Sequence, residues 1–361
     1  MDKIQTAKRV ACKFFGQMPD LCIPHGNGHI NDTYLISIGR KYILQRVNTN
    51  VFPCPEKIAE NISGITNHIK SKSPLLGLDP SRCNAAPICD ANGEYYFIDE
   101  ENNYWRAFEY IEKAFSRERI ENKRDIEMCG RAFGQFQMML SDYPTDKLHY
   151  TIENFHNTPM RYENLMRAIE RDPLGRVSSV KEEIEFVRER GDFCKLFEEA
   201  HMSGQLPLRT THNDTKLNNI LFDEENGEAV CIIDLDTVMP GYSINDFGDM
   251  IRFAANTAAE DETELSKVSL DLDLFSSCAK GFIEGTEGIL NETEISLLPH
   301  SAIMMTLETG MRFLTDYIEG DVYYKISKPT HNLDRARCQF ALVRDMEKNL
   351  PLLVEIISKI K

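Results

Sequence analysis

The chain has 361 residues, 42% hydrophobic and 27% charged, the balance of a globular protein with room for two lobes. Its net charge of −16, from 41 basic and 57 acidic residues, argues against nucleic acid and anionic membrane surfaces as partners, because both call for a basic face. No run approaches the roughly 20 apolar residues of a membrane span, residues 1–20 lack a signal-peptide core, and the ten cysteines include no C-x-x-C pair, so a cytoplasmic protein without a structural metal is expected.

Residues 1–20 carry an amphipathic helix pattern. Two β-type runs, 31–37 and 41–47, flank Gly39-Arg40 as a hairpin. Pro55 suits the first turn of a helix in which Ile58, Ile62, Ile65 and Ile69 recur at helical spacing. Asn92-Gly93 joins two short strands, and Asn102-Asn103 marks a turn before the run from Tyr104 to Ile111. That makes about five antiparallel strands and one helix. Beyond Glu112 the pattern turns helical, with helices expected over 126–143, 159–169, 180–200, 265–284, 292–318 and 333–361. Between them, 219–222 and 229–234 read as a hairpin around Asn226-Gly227. The fold class expected is therefore α+β. A small antiparallel β lobe (residues 1–112) precedes a larger, mainly helical lobe (residues 113–361), across a tight hinge near 109–113.

The chemistry concentrates in Thr211-His212-Asn213-Asp214-Thr215-Lys216-Leu217-Asn218-Asn219-Ile220 and, downstream, Cys231-Ile232-Ile233-Asp234-Leu235-Asp236. Asp214 and Asn219 are five apart, as in the His-x-Asp-x4-Asn loop of kinases, and Asp234 follows fifteen residues later at the end of an apolar run. Phosphoryl transfer needs positioning, magnesium to neutralise phosphates, and a carboxylate near the attacking hydroxyl. Alone, Asp214 reads as a loop residue capping a helix. With Asn219 and Asp234 in register it reads as the general base, and those two as Mg²⁺ ligands. Asp236, on the same side if the segment is extended, is a second ligand, an outer acceptor or a strand-end turn former. Lys216 either meets the phosphates or is solvated.

Asp246-Phe247-Gly248 spells the metal motif of protein kinases but stands thirty-two residues after Asp214 and follows Met239-Pro240-Gly241. It opens a helix instead of ending the metal strand, so Asp246 either caps that helix or braces the catalytic loop. Gly26-Asn27-Gly28-His29 is the candidate phosphate loop, in which glycines let N–H groups approach phosphate oxygens. His29 points to substrate or is a plain turn histidine. Arg312 sits in a mostly apolar helix and must be paired or reach a cavity. Asp316, one turn on, is the plain partner, and a substrate hydroxyl the sharper one.

These segments resemble the aminoglycoside phosphotransferase and choline kinase superfamily, which has a protein-kinase-like fold and phosphorylates hydroxyls of small molecules. The similarity tightens toward the branch acting on the anomeric hydroxyl of N-acetylhexosamines. It is carried by Gly28-His29-Ile30-Asn31, Tyr42-Ile43-Leu44-Gln45, Ile233-Asp234-Leu235-Asp236-Thr237, Asp246-Phe247-Gly248-Asp249 and Gly310-Met311-Arg312-Phe313-Leu314. The resemblance implies a two-lobe kinase using ATP and Mg²⁺, with Asp214 as base and Asn219 and Asp234 at the metal. It places His29, Arg312 and Tyr323 around the sugar with Phe253 nearby, and the adenine against backbone around Glu109, Tyr110 and Ile111. A monomer is expected, with a small-molecule sugar and ATP as its partners. The strand Tyr42-Ile43-Leu44-Gln45-Arg46 departs from the wider kinase pattern in lacking the phosphate-binding lysine, with Gln45 or Arg46 in that neighbourhood. Glu60 is the nominal glutamate partner in the following helix. The alternatives are a kinase for another small alcohol (a different hexose, homoserine, choline or an aminoglycoside) and a nucleotide-binding protein without catalysis. An acceptor site for a cationic substrate should be strongly acidic.

Overall fold

The computed structural model describes residues 3–26, 30–90, 92–117, 119–120 and 122–360. In chain order the first elements are α1 (Lys3–Phe15), β1 (Leu21–Pro24), β2 (Asp32–Ile38), β3 (Arg40–Arg46) and α2 (Pro55–Lys72). Strands β4 (Pro87–Ile88), β5 (Phe97–Ile98), β6 (Tyr104–Glu109) and β7 (Ala114–Ser116) follow, then helices α3 (Lys123–Met139), α4 (Thr158–Arg171), α5 (Lys181–Arg188) and α6 (Leu196–Met202). After β8 (Arg209–Thr211) come β9 (Ile220–Asp223), β10 (Ala229–Ile232) and β11 (Met239–Gly241). The chain ends in α7 (Ser243–Ala254), α8 (Leu272–Gly285), α9 (Glu292–Glu319) and α10 (His331–Ile360). Among the described residues no helix is long and apolar enough to cross a membrane.

By contacts the chain forms two compact units: residues 1–116, 139–153 and 220–240 in the first, and 117–138, 154–219 and 241–361 in the second. Two segments far beyond residue 112 thus cluster with the strand-rich unit.

The first unit is built on an antiparallel sheet in the order β1-β2-β3-β6-β4, with β5 also on β6. The hairpin around Gly39 forms as its glycine predicts, since that residue takes φ +69°. Strands β4 and β5 both pair with β6. The sequence joined them directly at Asn92-Gly93, but each is two residues long and finds its ladder on the longer neighbour. Helix α1 buries Ala7, Val10, Ala11 and Phe14 against Ile36, Leu44 and Trp105 of the sheet. A second small sheet, β10-β9-β7, holds the expected hairpin around Gly227.

The second unit is helical. The run expected as one helix over 180–200 is three pieces, because Gly191 and Asp192 interrupt it and a 3₁₀ turn, Phe193–Lys195, precedes α6. Helix α8 begins later than expected, where the Asp271 side chain accepts from the Asp273 and Leu274 N–H groups. Helices α3 and α8 cross at backbone contact through four glycines. A Cβ on Gly130 would lie 2.4 Å from the Cys278 carbonyl oxygen, one on Gly134 2.5 Å from that of Phe282, one on Gly281 2.0 Å from that of Glu127, and one on Gly285 2.4 Å from that of Arg131. This crossing fixes α3, which carries three residues that hold the loop around Asp214.

Candidate active site

Six of residues 211–219 of the second unit are buried, with Thr211 and His212 fully so. The His212 ring sits edge-on between Phe133 and Phe136 of α3, with centroids 5.4 and 5.7 Å away. Its Nδ1 is 3.3 Å from the Asp214 backbone N and accepts that N–H. Asn213 takes φ +64°, a left-handed conformation that asparagine tolerates better than most residues. Both peptide groups of that residue are tied down. The Asp246 Oδ1 accepts the Asn213 N–H at 2.7 Å, and the Asn213 carbonyl oxygen lies 3.0 Å from the His156 Nε2.

Asp246 is therefore a brace. Its Oδ2 also accepts from the His212 N–H (2.9 Å) and from the Gln137 Nε2 of α3 (2.7 Å). It does not cap α7, which starts three residues earlier at Ser243. Burial drives its pKa up, against the opposing pull of His212 and the two backbone N–H donors. Asp249, one turn along α7, pairs with Arg252 at 2.9 Å and accepts the Thr215 N–H at 3.2 Å.

The loop presents Asp214, whose side chain is 23% exposed, with its Oδ1 2.8 Å from the Lys216 ammonium. Burial opposes the Lys216 charge, but Asp214 and Asp249 outweigh it and hold the pKa above its ordinary value. The Asn219 Nδ2 donates to the Asp214 carbonyl oxygen at 2.8 Å and to its Oδ2 at 3.2 Å. This turns the Asn219 amide oxygen away from the carboxylate, where a hard cation can be met.

On α9, Arg312 does not pair with Asp316. Asp316 is spent on the N–H groups of Val322, Tyr323 and Tyr324 and on Asn332, at 2.8–2.9 Å. The Arg312 guanidinium instead lies 5.4 Å from the Phe155 ring and 5.8 Å from that of Tyr324, with no carboxylate in ion-pair contact among the described residues. Arg161 is a near neighbour: burial and the Arg312 charge pull its pKa down. Its Nη2 donates to the Phe155 carbonyl at 2.9 Å, while its buried Nε has no partner. Tyr323 and Phe253 are 61% and 41% exposed. Nothing local in the sequence marks Phe155, Arg161 or Tyr324, since a charged residue in an amphipathic helix gives no such signal.

In the first unit, Asp234 is exposed and takes φ +61°, with a 3₁₀ turn, Leu235–Thr237, directly after it. The segment is not extended, so the alternation that would put Asp234 and Asp236 on one side does not apply. Asp236 is 2% exposed and its two oxygens face Arg106, at 2.6 and 2.8 Å. It also accepts from the Asn31 Nδ2 at 2.9 Å. Arg106 lies opposite Gln45 in the β3–β6 ladder and donates to its Oε1 at 2.9 Å. The cation beside the position of the absent lysine thus comes from β6. Arg46 pairs with Asp32. Glu60 pairs with His149 at 2.6 Å, on the exposed side of α2. Gly26 takes φ +72°, with no atom near a built Cβ, while Gly28 and His29 lie outside the described residues. The β6 ladder ends at Glu109, so the backbone of Tyr110 and Ile111 lies beyond it. Glu109 itself pairs with Arg40 at 3.4 Å, and Ile111 is buried.

Among the described residues no three His, Cys, Asp or Glu side chains gather as a metal cage. An ion held mainly by phosphates and water, with one or two protein oxygens, is the case that needs none.

Solved structures share this fold. A microcompartment-associated aminopropanol kinase matches 97% of the chain with 98% of its own, at TM-score 0.61 and 16% identity. An aminoglycoside phosphotransferase from Alicyclobacillus acidocaldarius matches 94% with 92% of its own, at 0.60 and 15%. The amicoumacin kinase hAmiN, solved with AMP-PNP, Ca²⁺ and amicoumacin, matches 99% with 94% of its own, at 0.57 and 15%. The mixed α+β, kinase-like fold expected from sequence is the one these proteins have. The family model described as "Phosphotransferase enzyme family" matches residues 22–267, and with it the whole loop around Asp214: this chain belongs to that family.

Proposed function

We propose that the protein is an ATP- and Mg²⁺-dependent N-acetylhexosamine 1-kinase, transferring a phosphoryl group to the anomeric hydroxyl of the sugar. Asp214 takes the hydroxyl proton as it attacks. An anomeric hydroxyl is more acidic than an ordinary alcohol, so one positioned carboxylate suffices as base. The ammonium of Lys216 lies 2.8 Å from the Asp214 carboxylate and is the first protein cation an incoming phosphate would meet.

Mg²⁺ would be held by the Asn219 amide oxygen and Asp234, and would neutralise the transferring phosphate. Asp236, committed to Arg106, is assigned the outer-acceptor role among the three the sequence left open, fixing the turn after Asp234. Gly26 and Gly28 are assigned to the phosphates, backbone around Glu109, Tyr110 and Ile111 to the adenine, and His29, Phe253, Arg312 and Tyr323 to the sugar.

The observation that carries the acceptor class is the charge around Arg312. The groups that meet it are two further arginines, Arg161 and Arg252, two tyrosines and Glu308, whose carboxylate is already bonded to His156 and Thr158. A guanidinium in such surroundings repels an amine and suits a neutral, oxygen-rich acceptor. It supports a neutral acceptor over an amino alcohol or an aminoglycoside. The test is ADP release with ATP, Mg²⁺ and a panel of N-acetylhexosamines, parent hexoses, ethanolamine, aminopropanol and an aminoglycoside, with phosphorus NMR of the product. Turnover confined to sugars, with phosphate on the anomeric carbon and loss in Asp214→Asn, is expected. Turnover on the amines alone would overturn the assignment.

A further inference from the structure

We propose that His156 and Glu308 are positioning residues, a buried imidazolium–carboxylate pair that aims Asp214 through the catalytic loop and keeps Arg312 free for the acceptor; the acceptor's identity rests on the kinase reading above. The protonation state follows from geometry. The His156 Nδ1 is 2.8 Å from the Glu308 Oε1, and its Nε2 is 3.0 Å from the Asn213 carbonyl oxygen. A carboxylate and a carbonyl only accept, so beside an ionised Glu308 both ring nitrogens donate, which a neutral imidazole cannot do. The Glu308 side chain is 0% exposed and that of His156 10%. The second Glu308 oxygen takes the Thr158 hydroxyl at 2.6 Å.

One end of the pair sits on the loop. Asn213 is left-handed, and its carbonyl, held by His156, belongs to the peptide group that leads into Asp214. The other end sits on α9, where Glu308 and Arg312 are four residues apart, the spacing at which a free carboxylate and guanidinium meet. Glu308 does not reach Arg312 because His156 and Thr158 already occupy it.

The charged and titratable surroundings agree. Burial opposes the His156 cation, but Glu308 and, farther off, Asp249 outweigh it. Burial opposes the Glu308 anion, but His156, Thr158 and Arg312 outweigh it. Arg161, Arg252, Tyr323 and Tyr324 complete the charged surroundings of Arg312, and Cys194 faces Glu308. Asp249 is itself held by Arg252 and Lys216. Losing the imidazolium proton leaves Glu308 an unpaired buried anion whose nearest cation is Arg312.

Two measurements on the full chain test this. Histidine-labelled NMR of the wild type should show one imidazole protonated well above the ordinary pKa of about 6.5. Its signal should be absent from His156→Gln, and its titration should fall to lower pH in Glu308→Gln. A neutral His156 at pH 7 overturns the proposal, whatever the sugar assay returns. In kinetics, His156→Gln should raise the acceptor KM about tenfold or more, with ATP KM within about twofold. His156→Gln/Glu308→Gln should bring the acceptor KM back toward wild type, because no carboxylate remains to capture Arg312. The wild-type acceptor KM should rise on the alkaline side and that of the double variant stay flat. An unchanged KM in His156→Gln, or a double variant no better than the single, overturns it. If His156→Gln does not fold, the double variant and the wild-type pH profile decide. Imidazolium without turnover on any sugar sinks the sugar assignment and leaves this pair standing.

Discussion

Replacing Asp246 tests whether the catalytic loop is held from below. The carboxylate is fully buried and takes three donors: the His212 and Asn213 N–H groups and the Gln137 amide. Asp246→Ala leaves all three without it. The two backbone donors cannot rotate away, and each costs about 1–3 kcal/mol when stranded. Gln137 keeps the Ser243 carbonyl at 3.2 Å and the Ser243 hydroxyl at 2.7 Å, so its share is small. The sum is about 2–6 kcal/mol, a large part of the roughly 5–15 kcal/mol that holds a domain folded. Asp246→Asn keeps one acceptor oxygen and sheds a buried charge, so it should cost less, about 1–3 kcal/mol. Thermal unfolding should therefore rank wild type above Asp246→Asn above Asp246→Ala, with Asp246→Ala about 5–15 °C below wild type. Hydrogen exchange at the His212 and Asn213 amides should quicken in the same order. An Asp246→Ala protein that melts with wild type, or Asp246→Asn as the weaker of the two, would refute the brace.

Asp214→Asn should cut kcat by about 10²–10⁴ while the KM for ATP stays near wild type, measured by steady-state ADP release. Gly281→Ala gains about 1 kcal/mol of helix propensity, but its Cβ would sit 2.0 Å from the Glu127 carbonyl oxygen on another helix backbone. A net loss of about 1–3 kcal/mol in urea denaturation is expected, and stabilisation would contradict the crossing. Arg106→Met strands the buried Asp236 and should cost about 3–5 kcal/mol, much of which Arg106→Met/Asp236→Leu should recover. The folded pKa of His156 is raised, so its contribution is present in full below about pH 6.5 and is lost as pH rises through the folded value. That of Glu308 is lowered, so its contribution is present above about pH 4.3 and is lost as pH falls through the folded value. Stability from the pair should thus be greatest between about pH 4.3 and 6.5 and fall off on both sides, and Glu308→Gln should flatten both limbs.

Features written in local pattern were legible before the fold was seen. Isoleucines at helical spacing marked α2, Gly39 and Gly227 marked their hairpins, and Asp214 and Asn219 stood in a kinase spacing. Features that depend on partners distant in sequence were not. Asp246 braces a loop 33 residues away, and nothing near it says so. Arg106 is one charge in an apolar strand until Asp236, 130 residues on, explains it. The Asp234–Asp236 segment was read with the alternation of a strand, and a left-handed residue followed by a 3₁₀ turn broke that alternation. The plain partner for Arg312 failed because Asp316 had three backbone amides nearer to hand.

The two units are woven from one thread. Reading along the chain, the path passes from one to the other after residues 116, 138, 153, 219 and 240. A gene cut near residue 112 would separate β7 from the rest of its unit and strip that unit of both β9, to which β7 pairs, and β10. The strand-rich part is therefore not a portable cassette. Expressed alone as residues 1–112 it would lack all three strands of the β10-β9-β7 sheet and the segment 139–153 as well. Recombination that swaps whole halves between relatives would have to carry residues 139–153 and 220–240 with the front half. Changes that keep both units whole are therefore substitutions within the chain and not exchanges of its halves.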